Sequence, residues 1–470
     1  MIKQPLVPLS DMIMCLSDVV DLVSPAVANH HKQVAYIAST LGAELGLPAE
    51  RQRELVLAGA VHDIGAISVR ERMGALQFEV DTPSQHTELG YSLLKTFVPL
   101  VKVADLVRFH HTHWNQGNCA KAPCQPVSIG AHILHLADRV AALLNKQQEV
   151  LGQARAICDR IAEQSGRMFM PELVYAFTRL AEKEYFWLDV TSPTLGSILR
   201  RQLRSETLEL DMDGLVDFAA LLSRIIDFRS PFTATHSSGV AASAESLARL
   251  VGFSESECKM MRFAGCLHDL GKLAVPTEIL EKPARLTEDE FNIVRRHTFY
   301  TYRALEHIDD ISTVNCWASF HHERMDGKGY PFHIKGQDLL LGSRIMAVAD
   351  VFTAITEDRP YREAMPNDRA LRTLQQMADD SILDSHMVSL LKLHFDEINS
   401  LRMAAQATKR LAYDEIMNDL DVANRRGNDN PAWLAFNCGS QSTTALGGGV
   451  EITSDGGLGE QSKLLQVGGN

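Results

Sequence analysis

The stretch "AGCLHDLGKLAVP" at 264–276 sets His268 and Asp269 side by side at the end of an apolar segment, and "AGAVHDIGAISVR" at 58–70 repeats the arrangement with Ala66 in place of Lys272. An apolar run of two turns that ends on an imidazole and a carboxylate, with a glycine just beyond, reads as a buried helix and its stop. An uncompensated carboxylate in apolar surroundings is costly, so the pair needs partners. Reading outward from it finds them, and finds them twice.

"SPAVANHHKQVAYIASTLGAELGL" (24–47) lies over "SPFTATHSSGVAASAESLARLVGF" (230–253), which puts His30 on His236 at the offset of 206 that also relates His62 and Asp63 to His268 and Asp269. Further on, "HTELGYSLL" from His86 matches "HTFYTYRAL" from His297, and "FHHTHWN" matches "FHHERMD", setting His110 and His111 on His321 and His322. "GAHILHLADRVAAL" matches "GSRIMAVADVFTAI", setting Asp138 on Asp350. A few residues of drift across more than a hundred is the mark of a tandem duplication. Apolar residues recur at three- and four-residue spacing and β-branched runs are short, so the chain is expected to be all-α, with two tandem helical domains. The expected boundaries are 1–190 for the first copy, 191–214 for a connecting segment, 215–424 for the second copy and 425–470 for a disordered tail rich in Gly and Ser.

With 470 residues, 45% of them hydrophobic and 22% charged, the chain is long enough for two cores. The net charge of −13 argues against a DNA-binding or anionic membrane surface, while leaving a small anionic substrate open. No apolar run reaches the length of a membrane span, and Pro5, Pro8 and Asp11 interrupt the start where an export signal would be apolar. Eight cysteines without C-x-x-C pairing read as reduced thiols, and a cytoplasmic location is expected.

In the second copy His236, His268, Asp269, His297, His321, His322 and Asp350 offer five imidazoles and two carboxylates. A mixed nitrogen and oxygen set suits iron, manganese, nickel or zinc better than magnesium or calcium. Seven groups are too many for one tetrahedral ion and suit two, which together would activate a water and neutralise phosphate oxygens.

"HDLGK" (268–272), "HHERMDGKGYP" (321–331) and "RIMAVADVFTAITEDRPYR" (344–362) resemble the HD-GYP family of bacterial phosphodiesterases, a branch of the HD phosphohydrolases. The resemblance covers about 215–400. It implies an all-helical fold, two divalent metals, iron or manganese first, and hydrolysis of a cyclic dinucleotide, 3′,3′-cyclic GMP-AMP or cyclic di-GMP, to a linear 5′-phosphorylated dinucleotide. Matched by position, Asp269 would bridge the ions, His236, His268 and Asp350 would complete one, and His297, His321 and His322 the other. Lys272 would meet a phosphate oxygen or protonate the leaving 3′-oxygen. Arg359 and Arg362 would grip the distal phosphate or a guanine edge, and Tyr361 would stack on a base. Gly329, Tyr330 and Pro331 would shape the wall beside the paired histidines, and Glu323 and Asp326 would brace imidazoles. Two departures stand out: Phe232 occupies the place of a third-metal glutamate, so two ions are expected, and Thr298 and Thr301 replace a Pro and a Gly after the third histidine.

The first copy keeps a matching set, His30, His62, Asp63, His86, His110, His111 and Asp138, but has Thr112 for the glutamate, "QGNCAKAPCQPVS" for the GYP loop and "LNKQQEV" for the DRPYR stretch. It reads as a degenerate HD domain that packs on or regulates the second; a sensor or a narrower hydrolase are the alternatives. For the whole chain the alternatives to an enzyme of this kind are a nucleotide-responsive scaffold with a vestigial metal site and an HD hydrolase of other nucleotides. A homodimer is left open.

Overall fold

The repeat in the sequence becomes a repeat of helices in the computed structural model, which describes residues 4–22, 28–66, 68–78, 84–115, 127–203, 208–228, 235–358 and 363–427. The first half runs α1 (Leu9–Asp21), α2 (His30–Glu44), α3 (Ala49–Val61), α4 (Val69–Ala75), α5 (Ser84–Leu94), α6 (Val101–Phe109), α7 (Ile129–Ala142), α8 (Val150–Ala162), α9 (Pro171–Ala181), α10 (Glu184–Val190) and α11 (Leu195–Leu203). The second runs α12 (Met212–Phe228), α13 (His236–Leu250), α14 (Glu255–Leu267), α15 (Thr277–Leu280), α16 (Glu288–Val294), α17 (Arg296–Leu305), α18 (Ser312–Ser319), α19 (Leu341–Thr356), α20 (Asn367–Asp379), α21 (Ser385–Leu393) and α22 (Phe395–Gly427). A 3-10 turn, Leu270–Ala274, follows α14. The chain is all-α as expected. Among the described residues the one sheet pairs β1 (Val7–Pro8) with β2 (Glu209–Leu210), tying the approach to α1 to the approach to α12.

The stretch expected to connect the copies contains α11, which buries Leu195, Leu199 and Leu203 along one face. The break in periodicity near Thr191 therefore marks a corner before a short amphipathic helix. The tail expected from 425 overlaps the end of α22, and residues from 428 onward lie outside the described ones.

Matching local signals shape both halves. Helices α2 and α13 are followed by Gly46 and Gly252, at φ +72° and +90°, the left-handed conformation that glycine adopts at little cost. Ser254 and Glu257 form a reciprocal cap at the head of α14. In its body Gly265 lies against α13 so closely that a Cβ would sit 2.6 Å from Ala241 Cα; Gly59 stands in the same relation to Ala35, at 2.4 Å. A larger residue at either crossing would push apart the two helices that carry the first histidine and the His-Asp pair.

One apolar cluster runs through both halves. Helix α1 packs on α17 and on the 3-10 turn of the second half, while α12 and α22 pack on α5 of the first. Phe97 meets Phe218 edge to face across the junction, ring centroids 5.5 Å apart. No described helix is long and apolar enough to cross a membrane.

Candidate metal centres

In the second half six of the seven groups stand at or near a helix end, and the seventh, Asp350, lies within a helix. His236 opens α13, His268 and Asp269 follow α14, His297 lies in the first turn of α17, His321 and His322 follow α18, and Asp350 projects from α19. All seven are buried. Their donor atoms fall into two groups, one of His236, His268 and Asp350 and one of His297, His321 and His322, each within 4.8 Å of one another. Asp269 stands between, with Oδ2 3.1 Å from His268 Nε2 and Oδ1 3.5 Å from His297 Nε2. His236 Nε2 lies 3.1 Å from Asp350 Oδ1. Lys272, also buried, donates from Nζ to Asp269 Oδ2 at 2.9 Å.

The rings are aimed by their outer nitrogens. His268, His297 and His321 donate from Nδ1 to the carbonyls of Gly265, Val294 and Ala318 at 2.7, 2.8 and 2.6 Å, each three residues back. Those carbonyls belong to helix ends or turns where intrahelical donors run out, so one bond satisfies the backbone and fixes the ring. A neutral imidazole has one N–H, and here it is spent. The Nε2 atoms of His297 and His321 nevertheless face each other at 3.3 Å. Two lone pairs at that distance repel unless a cation lies between them. Donor atoms sharing an ion roughly 2.1 Å away sit about 3.0–3.5 Å from one another, the spacing seen here. His268 Nε2, Asp269 Oδ1, His322 Nε2 and Asp350 Oδ2 have no hydrogen-bond partner among the described residues. The residues present therefore fit two metal ions.

The electrostatics agree. Burial lowers His297 to about 3 and His322 to about 4, and takes His321 well below its ordinary value, so at neutral pH these rings keep free lone pairs. Burial would raise Asp269, but neighbouring His268 and Lys272 outweigh it and hold the carboxylate well below its usual range. Burial would lower His236 too; Glu357 and Asp350 outweigh it and raise the ring to about 9, so without an ion this ring carries a proton that a metal would displace. Glu357 Oε1 lies 2.9 Å from His236 Nδ1, and Gln406 on α22 donates to Glu357 Oε2 at 3.0 Å. The sequence reading missed this brace.

A cavity of about 660 Å³ opens beside His322. Gly329, Tyr330 and Pro331 form one wall and α16 and α17 the other. Tyr330 packs against His322, centroids 4.9 Å apart, with its hydroxyl buried and lacking a hydrogen-bond partner among the described residues. Gly329 is required by space, since a Cβ there would lie 2.4 Å from Glu323 Cα. Arg295, Arg296 and Lys328 line the cavity together with Phe291, Phe299 and Tyr300. Neither the arginine pair nor the aromatic residues were singled out in sequence, although "RRHTFY" sets them around His297.

Two expectations need correction. Glu323 does not hold an imidazole: its oxygens accept the backbone N–H groups of Phe332 and Ile334 at 2.7 and 3.1 Å and so fix the loop that forms the cavity wall. Asp326 pairs with Arg324 at 2.6 Å and accepts from Lys328 N, again shaping the loop. Thr301, where a glycine was expected, accepts from Gly271 N at 2.9 Å and donates to His268 O, tying α17 to the 3-10 turn. Arg359, Tyr361, Arg362 and Phe232 lie outside the described residues.

The first half brings its matching set together as well: Asp63, His86, His110 and His111 form one group, His30, His62 and Asp63 another, and His62, His110 and Asp138 a third.

Residues 220–387 and residues 27–143 each match the HD domain. The 3′3′-cGAMP-specific phosphodiesterase 1 of Vibrio cholerae is 30% identical over 415 residues, 86% of this chain and 95% of that protein. Phosphodiesterase 3 of the same name and organism is 32% identical over 56% of this chain and 57% of its own length. A cyclic di-GMP phosphodiesterase response regulator of Xanthomonas campestris is 41% identical over 33% of this chain and 41% of its own. A crystal structure of a cyclic GMP-AMP-specific phosphodiesterase of Vibrio cholerae, 22% identical, superposes with a TM-score of 0.56 over 86% of this chain and 98% of that one, and shares its fold.

Proposed function

The chain belongs to the HD-GYP family of HD-domain phosphodiesterases, and on that premise we propose that its second half hydrolyses 3′,3′-cyclic GMP-AMP to a linear 5′-phosphorylated dinucleotide. The chemistry rests on one observation: His297 Nε2 and His321 Nε2 face each other at 3.3 Å beside Asp269, at the edge of a cavity lined with arginines and aromatic rings. The choice of the hybrid nucleotide rests on the relative that matches along 95% of its length, whereas the cyclic di-GMP relative matches over a third of this chain.

Two ions of iron or manganese, one at each histidine group, would supply an activated water and neutralise phosphate oxygens. The rest falls to the chain. His236, His268 and Asp350 would hold one ion and His297, His321 and His322 the other, with Asp269 standing between the two sets. Lys272, fixed against Asp269, provides the proton to the leaving 3′-oxygen. Arg295, Arg296 and Lys328 draw the phosphates into the cavity, and the aromatic residues of its walls receive a base. Arg359, Tyr361 and Arg362 serve the distal phosphate and the second base. The reading implies a cytoplasmic enzyme, since its substrate is an intracellular messenger.

The test is a substrate panel on the manganese-loaded full chain: 3′,3′-cyclic GMP-AMP, cyclic di-GMP, cyclic di-AMP and dGTP, with products separated by chromatography. A linear dinucleotide formed fastest from the hybrid, and slowed at least about 100-fold by Lys272→Ala, is expected for a general acid. Binding without turnover, or turnover of dGTP alone, would overturn it.

A further inference from the structure

The first half carries more than a faded copy of the second. His30 Nε2, His62 Nε2, Asp63 Oδ1, His110 Nε2 and Asp138 Oδ1 are buried with no hydrogen-bond partner among the described residues. His62 and His110 spend Nδ1 on the carbonyls of Gly59 and Val107, at 2.9 and 2.6 Å, as their counterparts do. Their bare Nε2 atoms then face Asp63 oxygens at 3.3 and 3.5 Å, and His86 Nε2 lies 3.1 Å from His111 Nε2. Lone pairs set against lone pairs and carboxylates ask for a cation.

His31 distinguishes this half. Its Nδ1 is held by Asp21 Oδ1 at 2.5 Å, and its Nε2 is buried and unpartnered among the described residues. A carboxylate on one ring nitrogen with the other left bare is the usual preparation of a ligating histidine. The ring centroid lies 5.0 Å from that of His62, within the range that separates rings of the shared set, from 4.1 Å for His110 and His111 to 5.5 Å for His86 and His110. The second half has Ser237 at the matching position, and there Asp227, the counterpart of Asp21, accepts instead from Ser223 at 3.2 Å. The second half braces His236 with Glu357, whose counterpart is Asn145. The carboxylate brace has moved one residue along the chain, from the first histidine of the motif to the one after it.

We propose that the first half is a second metal centre, taking divalent transition cations such as manganese or iron, in which His31 held by Asp21 is a ligand that the second half lacks. Two buried guanidinium groups stand beside this centre, as buried Lys272 stands beside Asp269 in the second half. Arg139 donates to Asp138 Oδ2 at 2.5 Å and takes one oxygen away from any ion, where the second half has Val351. Arg72 donates to the carbonyl of Ala66, the residue at the lysine position, at 2.8 Å and to that of Val20 at 2.6 Å. Fixed positive charge beside a cation site weakens it.

The experiment counts manganese on the full chain by elemental analysis and by electron paramagnetic resonance, so it reads binding and is independent of turnover. Asp269→Ala, folded by circular dichroism, is expected to keep manganese that Asp63→Ala/Asp269→Ala loses, and Asp63→Ala alone to hold less than wild type. In the Asp269→Ala background, His31→Ala and the milder Asp21→Asn are expected to weaken manganese binding at least tenfold. A wild-type chain whose manganese content does not fall in Asp63→Ala overturns the centre. Unchanged affinity in both His31→Ala and Asp21→Asn overturns the part given to His31.

Discussion

Four of the five imidazoles in the second half's set spend an N–H on a fixed acceptor, and that choice decides which nitrogen is left for a cation. For three of them the acceptor is a backbone carbonyl; for His236 it is Glu357. Glu357→Gln keeps the shape and removes the charge, so manganese affinity of the second half is expected to fall by roughly 10- to 100-fold, measured by competition with a chelator. Asp227 gives a pH signature. Burial pushes its carboxyl up to about 7 despite Lys409 3.6 Å away. Between about pH 4 and 7 the folded chain then binds a proton that the unfolded chain releases, so this group's contribution to stability falls as pH rises through that window. Asp227→Asn removes the slope: relative to wild type, the variant gains on the order of 2 kcal/mol from pH 4 to pH 8, read by urea unfolding at each pH. The seven groups were legible because the duplication wrote each twice. Glu357, Gln406 and the Asp21–His31 pair occur in one half only, and the first two act on residues far away in sequence, so the repeat did not announce them. Glu323 and Asp326 were misread for a related reason: the imidazole acceptors are mostly main-chain carbonyls, which no residue type reveals.

Among the helices, the decisive contact is between the 3-10 turn and α17. A Cβ on Gly271 would sit 1.9 Å from His297 O, and one on Gly65 2.1 Å from His86 O. Gly271→Ala must therefore move the backbone of α17, and His297 with it. It is expected to cost about 3 kcal/mol in denaturant unfolding and to lower metal content, whereas Gly74→Ala, with open space around it, is expected to do neither. The glycine was readable as a helix stop, and its second duty as a spacer for a helix some 25 residues on was not. Helix α11 escaped notice because nine residues flanked by turns offer little periodicity.

Across the whole molecule the two halves clasp each other, with α1 on the turn and helix that carry Lys272 and His297, and α12 on the helix that carries His86. Because one apolar cluster spans both, the metal-free chain is expected to unfold in a single calorimetric transition, with Phe97→Ala lowering its midpoint as about 3 kcal/mol is lost; two separated transitions would show independent halves. The all-α class and the duplication were plain in the sequence, while this reciprocal packing, which depends on which exposed helix faces fit, was not. The most direct measurement is anomalous scattering at the manganese edge from crystals of active, manganese-loaded protein. Two peaks about 4 Å apart on either side of Asp269, one against His236 and His268 and one against His297 and His321, are the expected result. Active crystals with no peak near Asp269 would contradict the account.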